Sequence, residues 1–299
     1  MLVMTRSSRF AGVVRGAVAR RGAALMGICN VTPDSFSDGG RFFDRDAACA
    51  RVDELMAAGA DIIDIGGEST RPGSKPVPAD EQLARVLPVI RHAVERGACV
   101  SIDTTSAEVA AASLDAGAHA VNDVSLLRDE GLARVVSGSG ASLVLSHARA
   151  PQEQMSGYGG WSLGAYDDVV TDVIADWERA AARAMELGVP RSSLVMDPGL
   201  GFSKASRHSF ELLRRASEIV AAMARSDVPV LVGASRKSFL TLVDPRGAKS
   251  EPTDRDGASI AAALHAVRAG VQILRVHDVH ATRQAIDMEI VLGTPRRKI

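Results

Sequence analysis

Short apolar runs rich in β-branched residues alternate along this chain with longer stretches whose apolar positions recur every three to four residues. The runs are Ala24–Ile28, Asp61–Ile65, Cys99–Ile102, His119–Val121, Ser142–Leu145, Leu194–Met196, Val228–Val232 and Gln272–Val276. Between them Val52, Leu55 and Met56 make one helical face, and Leu83, Val86, Leu87, Ile90 and Val94 another. Val170, Val173, Ile174, Trp177, Ala181 and Met185 make a longer one. A glycine followed by Ala or Val precedes six of the runs, at Gly59, Gly97, Gly117, Gly140, Gly188 and Gly270. Helix C-termini favour glycine because it enters the left-handed region without steric penalty.

Runs buried on both faces and separated by amphipathic helices predict a parallel sheet covered by helices. Eight such units predict an α/β fold, a single closed (β/α)8 TIM barrel over residues 24–299. No GxGxxG opens a helix after the first run, which argues against an open dinucleotide-binding sheet. No linker or composition shift divides the chain, so one domain is expected.

Composition changes this picture little. The chain has 299 residues, 46% hydrophobic and 24% charged, an ordinary globular balance. A net charge of -1 points to neither nucleic acid nor membrane, and 4% aromatic content leaves few stacking platforms for bases. Cys29, Cys49 and Cys99 fit neither a zinc spacing nor a disulfide framework and are expected as buried free thiols. No apolar stretch reaches the ~18 residues of a membrane span, and a cytoplasmic protein is expected. Arg6, Arg9, Arg15, Arg20 and Arg21 precede the first acidic residue, Asp34, in the manner of a transit peptide. The expected form of residues 1–23 is a disordered basic extension.

The candidate chemistry lies where the runs end, since a barrel of this kind works at the C-terminal ends of its strands. Those ends carry Asn30, Glu68, Asp103, Asn122, Asp123, His147, Asp197, Ser235, Arg236, Lys237, Arg275, His277 and Asp278. Asp123 and Asp278 serve equally well as helix caps. Asp103, Asn122 and Asp197 are short groups suited to the amino and N–H edges of a flat heterocycle held deep in the barrel. Lys237 can donate to it from the opposite side. Arg275 and His277 share one side of the last strand and, with Asn30 on the neighbouring first strand, predict an anion site. Two loops complete the set. "CNVTPDSFSDGG", residues 29 to 40, carries Phe36 among polar residues and glycines, more than a plain turn needs. "GGESTRPGSKP", residues 66 to 76, brings Thr70, Arg71, Pro72 and Lys75. The first looks built to close over something, and the second, a basic loop over the anion site, is expected to close on a phosphorylated substrate.

Taken together, "MGICNVTPDSFSDGG", "DIIDIGGESTRPGSKPV", "SIDTTSAEV", "AGAHAVNDVS", "DPGLGFSK", "VPVLVGASRKSFL" and "RVHDV" resemble the dihydropteroate synthase family over residues 24 to 292. The resemblance implies a magnesium-dependent homodimer that joins p-aminobenzoate to a dihydropterin pyrophosphate and is a target of sulfonamides. It implies that Asp103, Asn122, Asp197 and Lys237 hold the pterin, and that Asn30, Arg275 and His277 hold the departing phosphates, with Asn30 near the metal. Phe36, Thr70, Arg71 and Pro72 would close over p-aminobenzoate, with Phe202, Ser235 and Arg236 also at the substrate. Asp103, Lys237, Arg275 and His277 would be the catalytic set. The chain departs from the family pattern at Ser146, where methionine is usual, at Ser203 and Ser209 in place of Gly and Asn, and at Leu126 in place of Gly. A pterin-binding paralogue without synthase activity and a pterin-dependent methyltransferase barrel remain as alternatives. The methyltransferase would need no pyrophosphate site.

Overall fold

The computed structural model describes residues 5–32, 45–69, 74–151, 154 and 161–293. Eight parallel strands form one sheet: β1 (Ala24–Asn30), β2 (Ile62–Gly66), β3 (Val100–Asp103), β4 (Ala120–Asp123), β5 (Ser142–Ser146), β6 (Leu194–Asp197), β7 (Leu231–Val232) and β8 (Ile273–Val276). Their order is β6-β5-β4-β3-β2-β1-β8-β7, and a parallel bridge from Met196 to Val230 joins β6 to the start of β7. That bridge closes the sheet into the expected barrel. All six of the glycines singled out have positive φ, from 65° to 107°.

The outer layer comprises α2 (Arg45–Ala57), α3 (Ala79–Glu95), α4 (Ala107–Asp115), α5 (Gly131–Ser139), α6 (Val169–Glu186), α7 (Ser206–Arg214), α8 (Ala216–Ala224), α9 (Asp256–Arg268) and α10 (Val279–Val291), preceded by an N-terminal α1 (Arg6–Arg21). Two apolar clusters follow from strand alternation. The larger lies between sheet and helices and includes Leu143, Leu145, Trp177 and Val86. The smaller fills the lower barrel with Ala24, Met26, Ile62, Cys99, Ala120, Val144, Val195, Leu231 and Ile273. Stepping two residues up each strand from this inner set identifies every side chain that faces the upper interior. Among the described residues, no helix is long and apolar enough to cross a membrane.

The N-terminus differs from expectation. Residues 6–21 are not a disordered extension but a capped helix, with Thr5 accepting from the Ser8 N–H and Gly22 closing it at φ 86°. Phe10, Val14 and Ala17 join the inner cluster and plug the bottom of the barrel. The arginines that resembled a transit signal have local work there. Arg6 donates to the Ser139 and Leu114 carbonyls at 2.9 and 3.1 Å, and Arg9 to the Gly97 carbonyl at 2.9 Å. Cations suit these helix C-terminal ends, where carbonyls are unsatisfied. Arg21 pairs with Asp61 at 2.8 Å. Phe10→Ala is accordingly expected to cost about 3 kcal/mol of stability, read by urea unfolding, as other large-to-small changes in closed cores do. A change below about 0.5 kcal/mol would mean that the helix is not part of the folding unit. All three cysteines are free, Cys29 and Cys99 buried and Cys49 only half-buried.

Candidate active site

Alternation from the inner cluster puts Asn30, Asp64, Ser101, Asp103, Asn122, Ser146, Asp197, Ser235, Arg275 and His277 on the upper interior face. Asp103, Asn122 and Asp197 thus converge as the sequence implied. The interior beneath them is not purely apolar. Asp64, in the middle of β2, and Ser101, its register partner on β3, are both fully buried there.

Asp64 organises the deep site. Its Oδ2 accepts from Arg275 Nε at 2.6 Å and from Asn122 Nδ2 at 3.1 Å. Arg275 Nη2 donates to Asp103 Oδ2, also at 2.6 Å. One guanidinium from β8 therefore bridges two buried carboxylates on β2 and β3. Burial alone would weaken Arg275's hold on its proton, but the charges of Asp64 and Asp103 outweigh it and push the group further up. Burial lifts the Asp103 carboxyl to about 7; Asp64 adds to the rise, and Arg275 and Lys237 oppose it. Asp64 Oδ1, Asp103 Oδ1 and Asn122 Oδ1 are buried without a hydrogen-bond partner. A planar donor already fills part of this acceptor set, and the rest is open to another.

Opposite lies Lys237. Its Nζ donates to the Leu200 carbonyl at 2.6 Å and stands 4.4 Å from the centre of the Phe202 ring. Burial lowers it to about 8, with Asp197 and Asp103 opposing and Arg275 reinforcing the fall. Asp197 Oδ1 accepts from the Gly199 N–H at 2.8 Å, which shapes the turn after β6. Gly199 has φ +65°, and a Cβ there would fall 2.0 Å from the His147 carbonyl oxygen, so only glycine allows this approach.

His147 itself is not in the ring. One residue beyond Ser146, it points outward, with Nε2 2.9 Å from Asp176 and Nδ1 2.8 Å from Lys204 Nζ. The fully buried Lys204 also donates to the His147 and Phe202 carbonyls, so Nδ1 acts as the acceptor and Nε2 carries the proton. Burial holds this imidazole neutral, down to about 3, and the Lys204 charge acts in the same direction. Asp278 is the expected helix cap, accepting from the Ala281 N–H, whereas Asp123 caps no helix and instead holds the turn after β4, accepting from the Ser125 and Leu127 N–H groups.

Above the deep site a cavity of about 1110 Å³ is lined by Asn30, Phe202, Ser235, Lys237, Arg275 and His277, among others. Asp103, Asn122 and Asp197 are not part of its lining; Arg275, which is, reaches down from it to Asp64 and Asp103. Ser235 Oγ is 3.0 Å from His277 Nδ1 and accepts from the His277 N–H, joining β7 to β8. Arg236 lines the same cavity. At φ 58° it forms a two-pronged pair with Asp256, at 2.7 and 2.9 Å. Sequence reasoning missed Ser238 as well as Asp64; its Oγ is buried and unpartnered on the cavity wall. Phe36, Thr70, Arg71 and Pro72 lie outside the described residues.

The departures from the family pattern have local explanations. Ser203 sits at φ 49°, a conformation that suits glycine, but its Oγ accepts from the Arg149 and Ala150 N–H groups at 3.1 Å each. Its carbonyl accepts from the Tyr166 hydroxyl at 2.8 Å. Ser209 Oγ accepts from the Gly201 N–H at 3.0 Å. Leu126 carries a φ of 61° that nothing in the structure offsets.

Among the described residues, no group of three or more His, Cys, Asp or Glu is assembled to hold a metal. Magnesium does not require one, since it keeps several waters and binds through one or two protein oxygens plus substrate phosphates. The amide oxygen of Asn30, on the cavity wall and on the strand next to Arg275 and His277, fits that donor set.

A family model described as pterin binding enzyme matches residues 26–277. The dihydropteroate synthase of Mycobacterium leprae is 42% identical over 265 residues, covering 88% of this chain and 90% of that protein. A probable bifunctional folylpolyglutamate synthase/dihydropteroate synthase of Haloferax volcanii is also 42% identical over 277 residues. The match covers 92% of this chain but 31% of that longer protein. The structure of Xanthomonas albilineans dihydropteroate synthase with 4-aminobenzoic acid superposes with a TM-score of 0.80 at 38% identity, covering 91% of this chain and 94% of that one.

Proposed function

Because the chain belongs to the dihydropteroate synthase family of pterin-binding enzymes, we infer that its barrel mouth makes 7,8-dihydropteroate. The substrates are 6-hydroxymethyl-7,8-dihydropterin pyrophosphate and p-aminobenzoate, and pyrophosphate leaves. The observation that carries this reading is the interior wall of acceptors, Asp103, Asn122 and Asp197, facing Lys237 beneath a cavity bounded by Asn30, Arg275 and His277. A ring with several N–H donors fits the first set, and a pyrophosphate fits the second.

In the ligand-free protein the Arg275 guanidinium satisfies acceptors that a pterin's donor edge needs. Binding the ring exchanges one planar donor for another and releases Arg275 toward the leaving group. An aniline nitrogen is a weak nucleophile because its lone pair is drawn into the ring. The reaction therefore runs by departure first. The C–O bond to pyrophosphate breaks with its electron pair, and the ring delocalises the resulting methylene cation. The amine nitrogen then bonds to that carbon and gives up its proton. Arg275 and His277 stabilise the departing charge and Asp103 the cation. Asn30 holds magnesium, which supplies further charge stabilisation to the pyrophosphate. Phe202 and Ser235 line the p-aminobenzoate site. We assign the protein to the cytoplasm as a homodimer.

The catalytic pair makes activity depend narrowly on pH. Asp103 is an anion only above about 7, and Lys237 a cation only below about 8. The kcat/KM profile, which reports groups of the free enzyme, is expected to fall tenfold per unit on the acid side as Asp103 takes up its proton. It is expected to fall likewise on the alkaline side as Lys237 loses its own. Lys237→Arg, which keeps its proton, should remove the alkaline limb alone. A flat profile between pH 6 and 9 would exclude these two groups as the essential pair.

The reading as a whole is tested by pyrophosphate release from the dihydropterin pyrophosphate with and without p-aminobenzoate. Release that requires the amine supports the synthase. Tight pterin binding without amine-dependent release would instead identify the non-synthase paralogue.

A further inference from the structure

Ser146 ends β5 two residues beyond Val144, which belongs to the inner cluster, so strand alternation turns its side chain into the barrel. Its register partner is Asp197, which faces the same way. The residue is completely buried, and its Oγ has no hydrogen-bond partner. A buried hydroxyl without a partner is destabilising and calls for one.

What it can offer follows from its neighbours. Three oxygens on the same inner wall, from Asp64 on β2, Asp103 on β3 and Asn122 on the adjoining β4, are buried and unpartnered, and all three are acceptors. One N–H of the Asn122 amide is already engaged by Asp64. Ser101, the other unpartnered hydroxyl on this wall, aligns with Asp64, one layer deeper than Asp103. The wall is therefore rich in acceptors and short of donors at the level of Asp103 and Asp197. A pterin carries a carbonyl and unprotonated ring nitrogens as well as N–H groups. With Lys237 on the opposite side, those acceptors need a donor from the β5 side.

We propose that Ser146 is a specificity-determining residue of the heterocycle pocket, its hydroxyl donating to an acceptor atom of the bound ring. An aliphatic side chain at this position could pack against the ring but could not make that bond. The inference rests on the pterin reading given above, and the test separates the two.

The probe is 6-hydroxymethylpterin, titrated calorimetrically into the wild-type protein and into Ser146→Ala, Ser146→Thr and Asp197→Asn. Ser146→Ala is expected to weaken binding about fivefold to tenfold, the usual worth of one net hydrogen bond. The KM for p-aminobenzoate should not change, and Ser146→Thr, which keeps the hydroxyl, should restore affinity. The melting temperature of ligand-free Ser146→Ala should stay level or rise, because an unpartnered buried hydroxyl has been removed. Unchanged affinity in Ser146→Ala, with wild-type binding intact and lost in Asp197→Asn, overturns the inference and leaves the pterin reading standing. A lowered melting temperature in the ligand-free variant also overturns it, by showing a structural hydroxyl. No binding to the wild-type protein removes both.

Discussion

Arg275→Met should unfold more easily than the wild-type protein by about 3–5 kcal/mol, the range found when one partner of a buried ion pair is removed. Arg275 is the group that the structure sets between Asp64 and Asp103, two carboxylates that are fully or almost fully buried. Without it, two carboxyl groups are left in the barrel with only Asn122 and Lys237 to offset the charge they carry. The Asp103 carboxyl, already raised to about 7, loses its largest opposing influence and moves higher. Adding Asp64→Asn to the same variant should recover much of the stability, since one buried charge then needs no partner. It should not recover amine-dependent pyrophosphate release, because the cation that meets the leaving group is still missing. A companion titration separates the roles. The variant should lose far more affinity for the pyrophosphorylated pterin than for the plain hydroxymethyl compound. Equal losses for both would make Arg275 a pterin or structural residue, not an anion ligand.

Asp197→Asn should weaken pterin binding by about 100-fold or more, as loss of a charge-assisted, two-pronged contact does. Asparagine is the informative change. Asp197 Oδ1 also accepts from the Gly199 N–H, so alanine would disturb the turn that brings Gly199 against His147. Asparagine can keep that bond through its oxygen while turning an amide donor toward the ring's own donors. Circular dichroism and the melting temperature should therefore stay close to those of the wild type. Pterin affinity within a factor of about 3 of wild type would show that the ring does not sit against β6.

The barrel and most of the ring were open to reading because they depend on local rules. A β-rich run, an amphipathic stretch and a glycine at each helix end are decided within a few residues, and the eight strands follow those runs closely. Polar residues at strand ends mark the mouth of a barrel whatever lies elsewhere in the chain. Asp103, Asn122, Asp197, Lys237, Arg275 and His277 were found by that rule alone.

Tertiary structure decided the rest, for identifiable reasons. Whether Ser146 or His147 faces the ring depends on strand parity, which the mixed polar end of β5 does not reveal but the position of Val144 in the inner cluster does. Asp64 looked like one polar residue inside an apolar run. Its role appears only when Arg275, 211 residues away in sequence, reaches it across the barrel. Arg236 stood beside Lys237 in sequence, but only the fold shows that it reaches the cavity wall while paired with Asp256. The basic N-terminus showed only a charge pattern. It becomes a helix because the closed barrel has an open apolar floor for Phe10, Val14 and Ala17 to cover, and a helix C-terminal carbonyl within reach of Arg6. Sequence by itself determined the elements and the chemistry at their ends. Only the closure of the sheet, which sets distant residues face to face in a low-dielectric interior, decided which of those groups are partners.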